Sequence, residues 1–431
     1  MKYVIVGGSA GGIGACEAIR EVDPAGELTL ISDEPFPQYS RPMISDFLAG
    51  KATFNKMMYR DDGFWRKNNV ELKAERRAVH LDFKEKVVEL DNEEKVGFEK
   101  LLIATGGKPI VPKTEGADKK GVFTFTTISD AERIAATVKK GQKAVVIGGG
   151  LIGVSVADAL VERGVSVTII ELKDRILNLI LDEAASKIVG DYVENAGATI
   201  VTEQTVKTIT GRPEDDASVG GVVLSDGRKL LCDIVVFAIG VVPHVELVAG
   251  TDVKTNRGIV VDRHMSTNVE GVYACGDAAE IYDFVFEGNR VLPLWPTAHL
   301  GGKVAGYNMA GKRAEFPGGT AMSALKYFGV SVISVGSVNT ADGDGCDVLI
   351  RHDSARNVYR KVVFRNGVLV GFTLVNDVER AGILFYLMHS RIDVKDLRDL
   401  LVSDDFSLAS LPFDVRKKLF MEGSKWTASP D

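Results

Sequence analysis

A chain of 431 residues, 45% apolar and 26% charged, has the balance of a globular protein and is too long for a single core, so two or three domains are expected. Its formal charge of −7 gives nucleic acid no electrostatic reason to bind, and no uninterrupted apolar run reaches the length of a membrane span. Cys16, Cys232, Cys275 and Cys346 lie far apart with no C-x-x-C among them, which argues against a redox dithiol, a disulfide scaffold and any metal site. The opening MKYVIVGG runs straight into a strand and a glycine turn, leaving no room for a signal peptide, so the expected compartment is the cytoplasm.

In chain order, Tyr3 to Val6 reads as a strand, Gly7 to Gly12 as a loop, Ile13 to Glu21 as a helix and Leu28 to Ile31 as a second strand, followed by Ser32-Asp33-Glu34. This is the pattern of a dinucleotide half-site, with Ser9 where the second glycine is expected. Gly7, Gly12 and an acid, Glu34 with Asp33 as rival, carry the pattern, and the Ser9 hydroxyl can donate to a phosphate. Residues 75–82 and 86–90 read as a hairpin. Leu101 to Ala104 is an apolar strand that ends in Thr105-Gly106-Gly107-Lys108-Pro109, and Ile128 to Lys140 has helical spacing.

The pattern returns in fuller form at the centre. Val145 to Ile147 leads into Gly148-Gly149-Gly150-Leu151-Ile152-Gly153, a helix to Gly164, a strand from Val165 to Ile170, and Glu171. Gly148 allows the tight turn, Gly150 lets bare backbone approach a pyrophosphate, and Gly153 lets the helix pack on its strand. The helix start offers unpaired N–H groups to phosphate, and a carboxylate at Glu171 suits ribose hydroxyls while repelling a 2′-phosphate. Further on, Ile234 to Ala238 ends in Ile239-Gly240-Val241-Val242-Pro243, an echo of Ala104 to Pro109 and the sign of a weak internal repeat. Two such units in one chain suit one permanently held dinucleotide and one that diffuses in as a reductant, which makes the first the natural FAD site and the second the NAD site.

On these motifs the chain resembles the two-dinucleotide flavoproteins of the pyridine nucleotide-disulfide oxidoreductase fold: NADH-dependent rubredoxin and ferredoxin reductases, nitrite reductase flavin domains and NADH oxidases. The resemblance implies an α/β protein with two Rossmann-like dinucleotide-binding domains and a C-terminal α+β interface domain. An FAD domain would be built from two separate segments, 1–112 and 248–316, with an NAD domain over 113–247 between them and the interface domain over 317–431. For FAD it implies Gly7, Ser9, Gly12, Glu34, Arg41 near the phosphates, Ala78 near the adenine, and Thr105 with Gly106. It adds Asp277 of Cys275-Gly276-Asp277, an acceptor for ribityl hydroxyls or equally a helix N-cap, together with Trp295 and Ala298. For NAD(H) it implies Gly148, Gly150, Ile152, Gly153, Glu171 and Gly240.

The stretch Pro293 to His299 precedes a helix expected over Leu300 to Met309, and Trp295 and His299 are flavin-edge candidates, His299 being as readily an ordinary helix-start histidine. Asp46, a third candidate, stands where relatives often carry a lysine, and Ser155 where they often carry a glutamate. Residues 40–48 hold no cysteine where disulfide-using relatives have theirs. The implied activity is therefore NADH:acceptor oxidoreduction, with hydride passing from nicotinamide to flavin and electrons leaving singly for rubredoxin, ferredoxin or an iron–sulfur subunit of a larger complex. An NADH oxidase or peroxide reductase, a disulfide reductase and an NADH-sensing flavin module are the other classes.

Beyond a boundary at Gly311 to Gly319, residues 330–338, 348–350, 358–364 and 369–375 read as an antiparallel sheet with an Asn366-Gly367 turn, followed by helices over 378–389 and 394–401. By resemblance this domain closes over the flavin and often forms a homodimer contact. Arg351, Arg356, Arg360, Lys361 and Arg365 could form a patch for an acidic electron carrier, though such a run is more often a solvated strand face. Residues from about 405 onward carry little signal and read as a docking arm.

Overall fold

The computed structural model describes residues 1–36, 38–340 and 344–419. Two five-stranded parallel sheets dominate it. In the first, the buried strand Lys2–Val6 is flanked by Glu27–Ile31 and then Val70–Lys73 on one side, and by Lys100–Ile103 and then Val272–Ala274 on the other. In the second, Lys143–Ile147 is flanked by Ser166–Ile170 and Thr199–Val201, and by Ile234–Phe237 and Val122–Thr124. The two orders are the same. Only the outermost strand differs in origin, since Val272–Ala274 follows the second sheet in the chain while Val122–Thr124 precedes its own glycine strand.

Register brings the loops together. Val6 lies opposite Ile31 and Ile103, and Ile147 opposite Ile170 and Phe237. The segments that follow these residues all leave from the carboxyl edge, where open α/β sheets place their ligands.

The helices bounded within the described residues are, in chain order, α1 (Ala10–Val22), α2 (Ile44–Leu48), α3 (Phe54–Met57), α4 (Phe64–Lys67), α5 (Ile128–Thr137), α6 (Leu151–Glu162), α7 (Glu183–Asn195), α8 (Trp295–Met309), α9 (Ala381–His389) and α10 (Arg398–Val402). Among the described residues, no helix is long and apolar enough to cross a membrane. α5 starts at a capping box in which Thr127 accepts from the Asp130 N–H and Asp130 accepts from the Thr127 N–H. α1 packs tightly on α8 because glycines remove the bulk between them: a Cβ on Gly302 would lie 1.9 Å from the Gly11 carbonyl oxygen, and one on Gly306 2.6 Å from that of Ala15.

The chain divides into two compact units, Met1–Asp174 with Gly197–Thr320, and Arg175–Ala196 with the chain from Ala321 onward. In the second unit, Met322–Tyr327, Val330–Gly336, Val368–Val375, Val358–Arg365 and Cys346–Asp353 form an antiparallel sheet in that order. Asp182 caps α7 by accepting from the Ala185 N–H at 3.0 Å, and also accepts from the Tyr359 hydroxyl at 2.6 Å and from Lys361 Nζ at 2.8 Å. Within this unit α7 is thereby fastened to the antiparallel sheet.

Several elements differ from expectation. α8 begins at Trp295, not Leu300, because Pro296 sits in its first turn, where a missing N–H costs nothing. The strand Met322–Tyr327 has too little apolar alternation to be read from sequence. The expected helix over 394–401 is a short 3-10 turn, Lys395–Leu397, running into α10. Of the stretch expected to be a docking arm, residues 420–431 lie outside the described residues.

Candidate functional site

At the first half-site the chain turns at Gly7, whose φ of +112° favours glycine and whose Cβ would stand 2.1 Å from the Ala104 carbonyl oxygen. Gly12 is equally constrained, since its Cβ would meet the Gly7 carbonyl oxygen at 2.0 Å. Ser9 stands before α1 in extended conformation and makes no side-chain cap. Its hydroxyl accepts from Arg41 Nε at 3.3 Å.

Arg41 organises this end. Its guanidinium pairs with Glu34, and its Nη1 donates to the Thr126 carbonyl at 3.0 Å. Glu34 also accepts from the Tyr39 hydroxyl at 2.6 Å. With its side chain 13% exposed, Glu34 is the acid that turns inward, whereas its rival Asp33 is 52% exposed and only 4.0 Å from Arg77. Tyr39 and Thr126 were not singled out in the sequence, and neither carries a motif that would have marked it.

Asp277 follows the strand Val272–Ala274, and its carboxylate has no hydrogen-bond partner among the described residues. Burial raises its pKa to about 6, and the Arg41 charge pulls the other way. The start of α8 meets it, because a Cβ on Gly276 would be 3.5 Å from the Ala298 Cβ. Asp277 does not cap an α-helix; it sits in the 3-10 turn Gly276–Ala278. An orphaned carboxylate, a guanidinium and two helix starts form a donor and acceptor set that fits the hydroxyls and phosphates of FAD.

Trp295 and His299 share one face of α8. The Trp295 ring meets the Tyr59 ring edge-on at 5.0 Å. His299 is held against α1, its Nδ1 3.4 Å from the Ala10 carbonyl and its Nε2 3.7 Å from Glu17. Burial lowers its pKa, with Glu17 opposing, which favours the neutral ring. Ala78 opens the strand Ala78–Asp82 opposite Leu90. Asp46 lies in the first turn of α2, which packs on α5 and α6.

The second half-site repeats the geometry with one difference. Gly148 (φ +106°) would bring a Cβ to 2.5 Å from the Ala238 carbonyl oxygen, and Gly153 would bring one to 1.8 Å from that of Gly148. A Cβ on Gly150 would meet nothing within 4 Å. That glycine keeps clear a space that the protein does not fill, as close approach of a pyrophosphate requires. Glu171, 8% exposed, accepts from the Gly149 N–H at 2.7 Å and the Lys173 N–H at 2.8 Å. Each carboxylate oxygen keeps a lone pair for a ribose hydroxyl. Ile152 lies half-buried in the first turn of α6, and Ser155 donates back to its carbonyl at 2.8 Å.

The two Gly-x-x-Pro echoes become partners. Gly107–Pro109 and Val241–Pro243 pair antiparallel, the Thr105 hydroxyl donates to the His244 carbonyl at 2.6 Å, and the His244 N–H returns to Gly106 at 2.9 Å. Gly106 (φ +72°) and Gly240 (φ +114°) supply the conformations this ribbon needs.

One reading of the side chains changes. The basic run does not form a patch: Arg360 and Lys361 are 3% and 6% exposed, Arg360 pairs with Asp377 and Asp404, and Lys361 with Asp182. Arg351 and Arg356 also bind Asp404, and Arg365 donates toward Cys346 Sγ at 3.6 Å. The cysteine nearest the site, Cys275, is buried against α1, and burial pushes its thiol up to about 12, where it is protonated and inert.

A family model described as pyridine nucleotide-disulphide oxidoreductase matches residues 1–302, and one described as rubredoxin NAD+ reductase C-terminal domain matches residues 322–392. The chain belongs to the pyridine nucleotide-disulphide oxidoreductase family. It is an oxidoreductase whose cofactors are FAD and NAD(H). It is 31% identical over 413 residues to the NADH-dependent phenylglyoxylate dehydrogenase subunit epsilon of Aromatoleum evansii, covering 94% of this chain and 96% of that one. It is 30% identical over 397 residues to the nitrite reductase [NAD(P)H] of Bacillus subtilis, covering 92% of this chain but spanning only 48% of that protein. Among solved structures, an NAD-dependent persulfide reductase from A. fulgidus superposes with a TM-score of 0.86 at 26% identity, covering 99% of this chain and 84% of that one.

Proposed function

We propose that this oxidoreductase carries electrons from NADH to a metal centre in another protein, a rubredoxin, a ferredoxin or an iron–sulfur subunit of a larger complex. The observation that carries the reading is the pairing of two half-sites with no thiol in residues 40–48 and a fully buried one at Cys275. A rubredoxin-reductase type of C-terminal domain supports it, as does similarity along nearly the full length to a subunit that is itself NADH-dependent. FAD, when bound, supplies the group that takes two electrons at once and releases them one at a time.

The chain's own residues bind and orient. The loop Gly7–Gly12 and the start of α1 present N–H groups to the pyrophosphate, joined by the Ser9 hydroxyl and by Arg41, with Glu34 on the ribose side and Ala78 by the adenine. Thr105 and Gly106 would line the junction of the two halves, and Asp277 would accept from ribityl hydroxyls. The start of α8, with Trp295 and Ala298, adds positive partial charge beside Asp277. Gly148, Gly150, Ile152, Gly153 and Gly240 shape the NADH cradle, and Glu171 selects against a 2′-phosphate.

In this reading residues 1–112 and 248–316 form the FAD domain, 113–247 the NAD domain and 317–431 the C-terminal domain. The protein works in the cytoplasm, as a homodimer or within a complex. Anaerobic stopped-flow mixing with NADH should bleach the flavin, and catalytic amounts should then reduce a rubredoxin or ferredoxin far faster than oxygen. Turnover with oxygen alone at a comparable rate would make it an NADH oxidase instead.

A further inference from the structure

Helix α6 carries the second dinucleotide loop at its start, and its C-cap is Arg163. The Arg163 guanidinium reaches away from its own helix and donates through Nη1 to the Leu48 carbonyl at 2.9 Å and through Nη2 to the Ala135 carbonyl at 3.3 Å. Leu48 is the last residue of α2, and Ala135 lies in the last turn of α5. Helix ends leave their final carbonyls unpaired and partly negative, and a planar fork of donors can serve two at once. The Lys139 N–H, which a longer α5 would direct to Ala135, instead donates to Gln142 Oε1 at 2.6 Å, leaving that carbonyl to Arg163.

A second tie lies beside the first, where Lys51 Nζ stands 3.1 Å from Glu162 and 3.9 Å from Asp158, both on α6. The other end of α5 is held from the flavin side as well. The Ile128 N–H donates to the Tyr39 hydroxyl at 3.1 Å, and Arg41 donates to the Thr126 carbonyl. Residues 39–51 are thus fastened at one end to the start of α5 and at the other to the end of α6. α2 has only five residues, too few to hold a helix unaided, so its place depends on these ties.

We propose that Arg163 is a positioning residue that sets the distance between the flavin-side segment, residues 39–51, and the helix that carries NADH. It lies at the opposite end of α6 from the dinucleotide loop. The inference rests on the function proposed above, because hydride transfer needs reacting atoms about 3–3.5 Å apart and a shift of about 1 Å can cost about 100-fold in rate.

The test uses the full FAD-loaded chain with Arg163→Ala and Arg163→Lys. FAD content and NADH dissociation constant should stay within about twofold of wild type, while the limiting rate of flavin bleaching falls roughly tenfold or more in R163A and less in R163K, which keeps a charged donor group but not the planar fork. Hydrogen exchange over residues 44–51 and 128–138 should quicken in R163A. An unchanged limiting rate in R163A, or a loss that lies wholly in NADH affinity, overturns the assignment. Should R163A fail to retain FAD, R163K decides on the same two readouts, and wild-type behaviour in both overturns it. Wild-type protein that NADH does not bleach would sink the function instead, and unchanged exchange over 44–51 in R163A would then still sink the role given to Arg163.

Discussion

The two half-sites share strand order, loop geometry and backbone crowding, yet they hold their acids differently. Glu171 is fixed by N–H groups of its own loop and strand end, so the acid of the second site is held within one βαβ unit. Glu34 is held by Arg41 and Tyr39, which lie outside the first βαβ unit and themselves reach to Thr126 and Ile128. A cradle closed by its own backbone suits a ligand that comes and goes. One closed by side chains from three stretches of chain suits a ligand that stays.

The largest effect is expected from filling the two kinds of glycine. Gly153→Ala drives a Cβ into the Gly148 carbonyl and should cost about 3 kcal/mol, seen as a melting temperature lower by roughly 3–5 °C. Gly150→Ala meets open space and should leave melting unchanged while weakening NADH binding by about tenfold, measured by titration. Equal effects on melting would mean that the space at Gly150 is not a ligand's.

Next in size, Arg41→Ala removes a partner from Ser9, Glu34 and Asp277 together, and FAD retained after dialysis should fall, with affinity down roughly 10- to 100-fold. NADH affinity of the flavin-loaded fraction should hold. A parallel loss at both sites would mean that the two half-sites are not held independently. Glu171→Gln, by contrast, should leave FAD content alone and narrow the preference for NADH over NADPH by about tenfold in kcat/KM.

The smallest effect concerns pH. The Asp277 carboxyl in the apoprotein titrates near 6, above a free carboxyl. Its protonated form therefore favours the fold, a contribution complete below about pH 4 and lost as pH rises through 6. Hydroxyl donors from FAD favour the ionised form, so FAD affinity should climb by up to about tenfold from pH 5 to 7, and Asp277→Asn should flatten the rise.

Much of this was legible in the residues themselves. The glycine spacings, the acids after each second strand and the Gly-x-x-Pro echo all landed at carboxyl edges, because short-range geometry dictates them. The contacts that tie distant stretches were not legible. Arg163 reads as an ordinary helix-end arginine, and nothing local marks its reach to Leu48 and Ala135. The basic run misled for the same reason, since Asp182, Asp377 and Asp404, which bury and pair it, lie far off in sequence. The start of α8 was missed because Pro293 and Pro296 read as loop, although a proline in the first helical turn is welcome.

The outer strand Val272–Ala274 also bears on how the protein is made. The ribosome must finish the whole second nucleotide unit before that strand emerges, and at about 5–20 residues per second the nascent first sheet waits many seconds with Lys100–Ile103 as an open edge. During that wait the edge is exposed to neighbouring chains, so the yield of native protein in a cell should depend on chaperone supply more than the finished fold's stability would suggest.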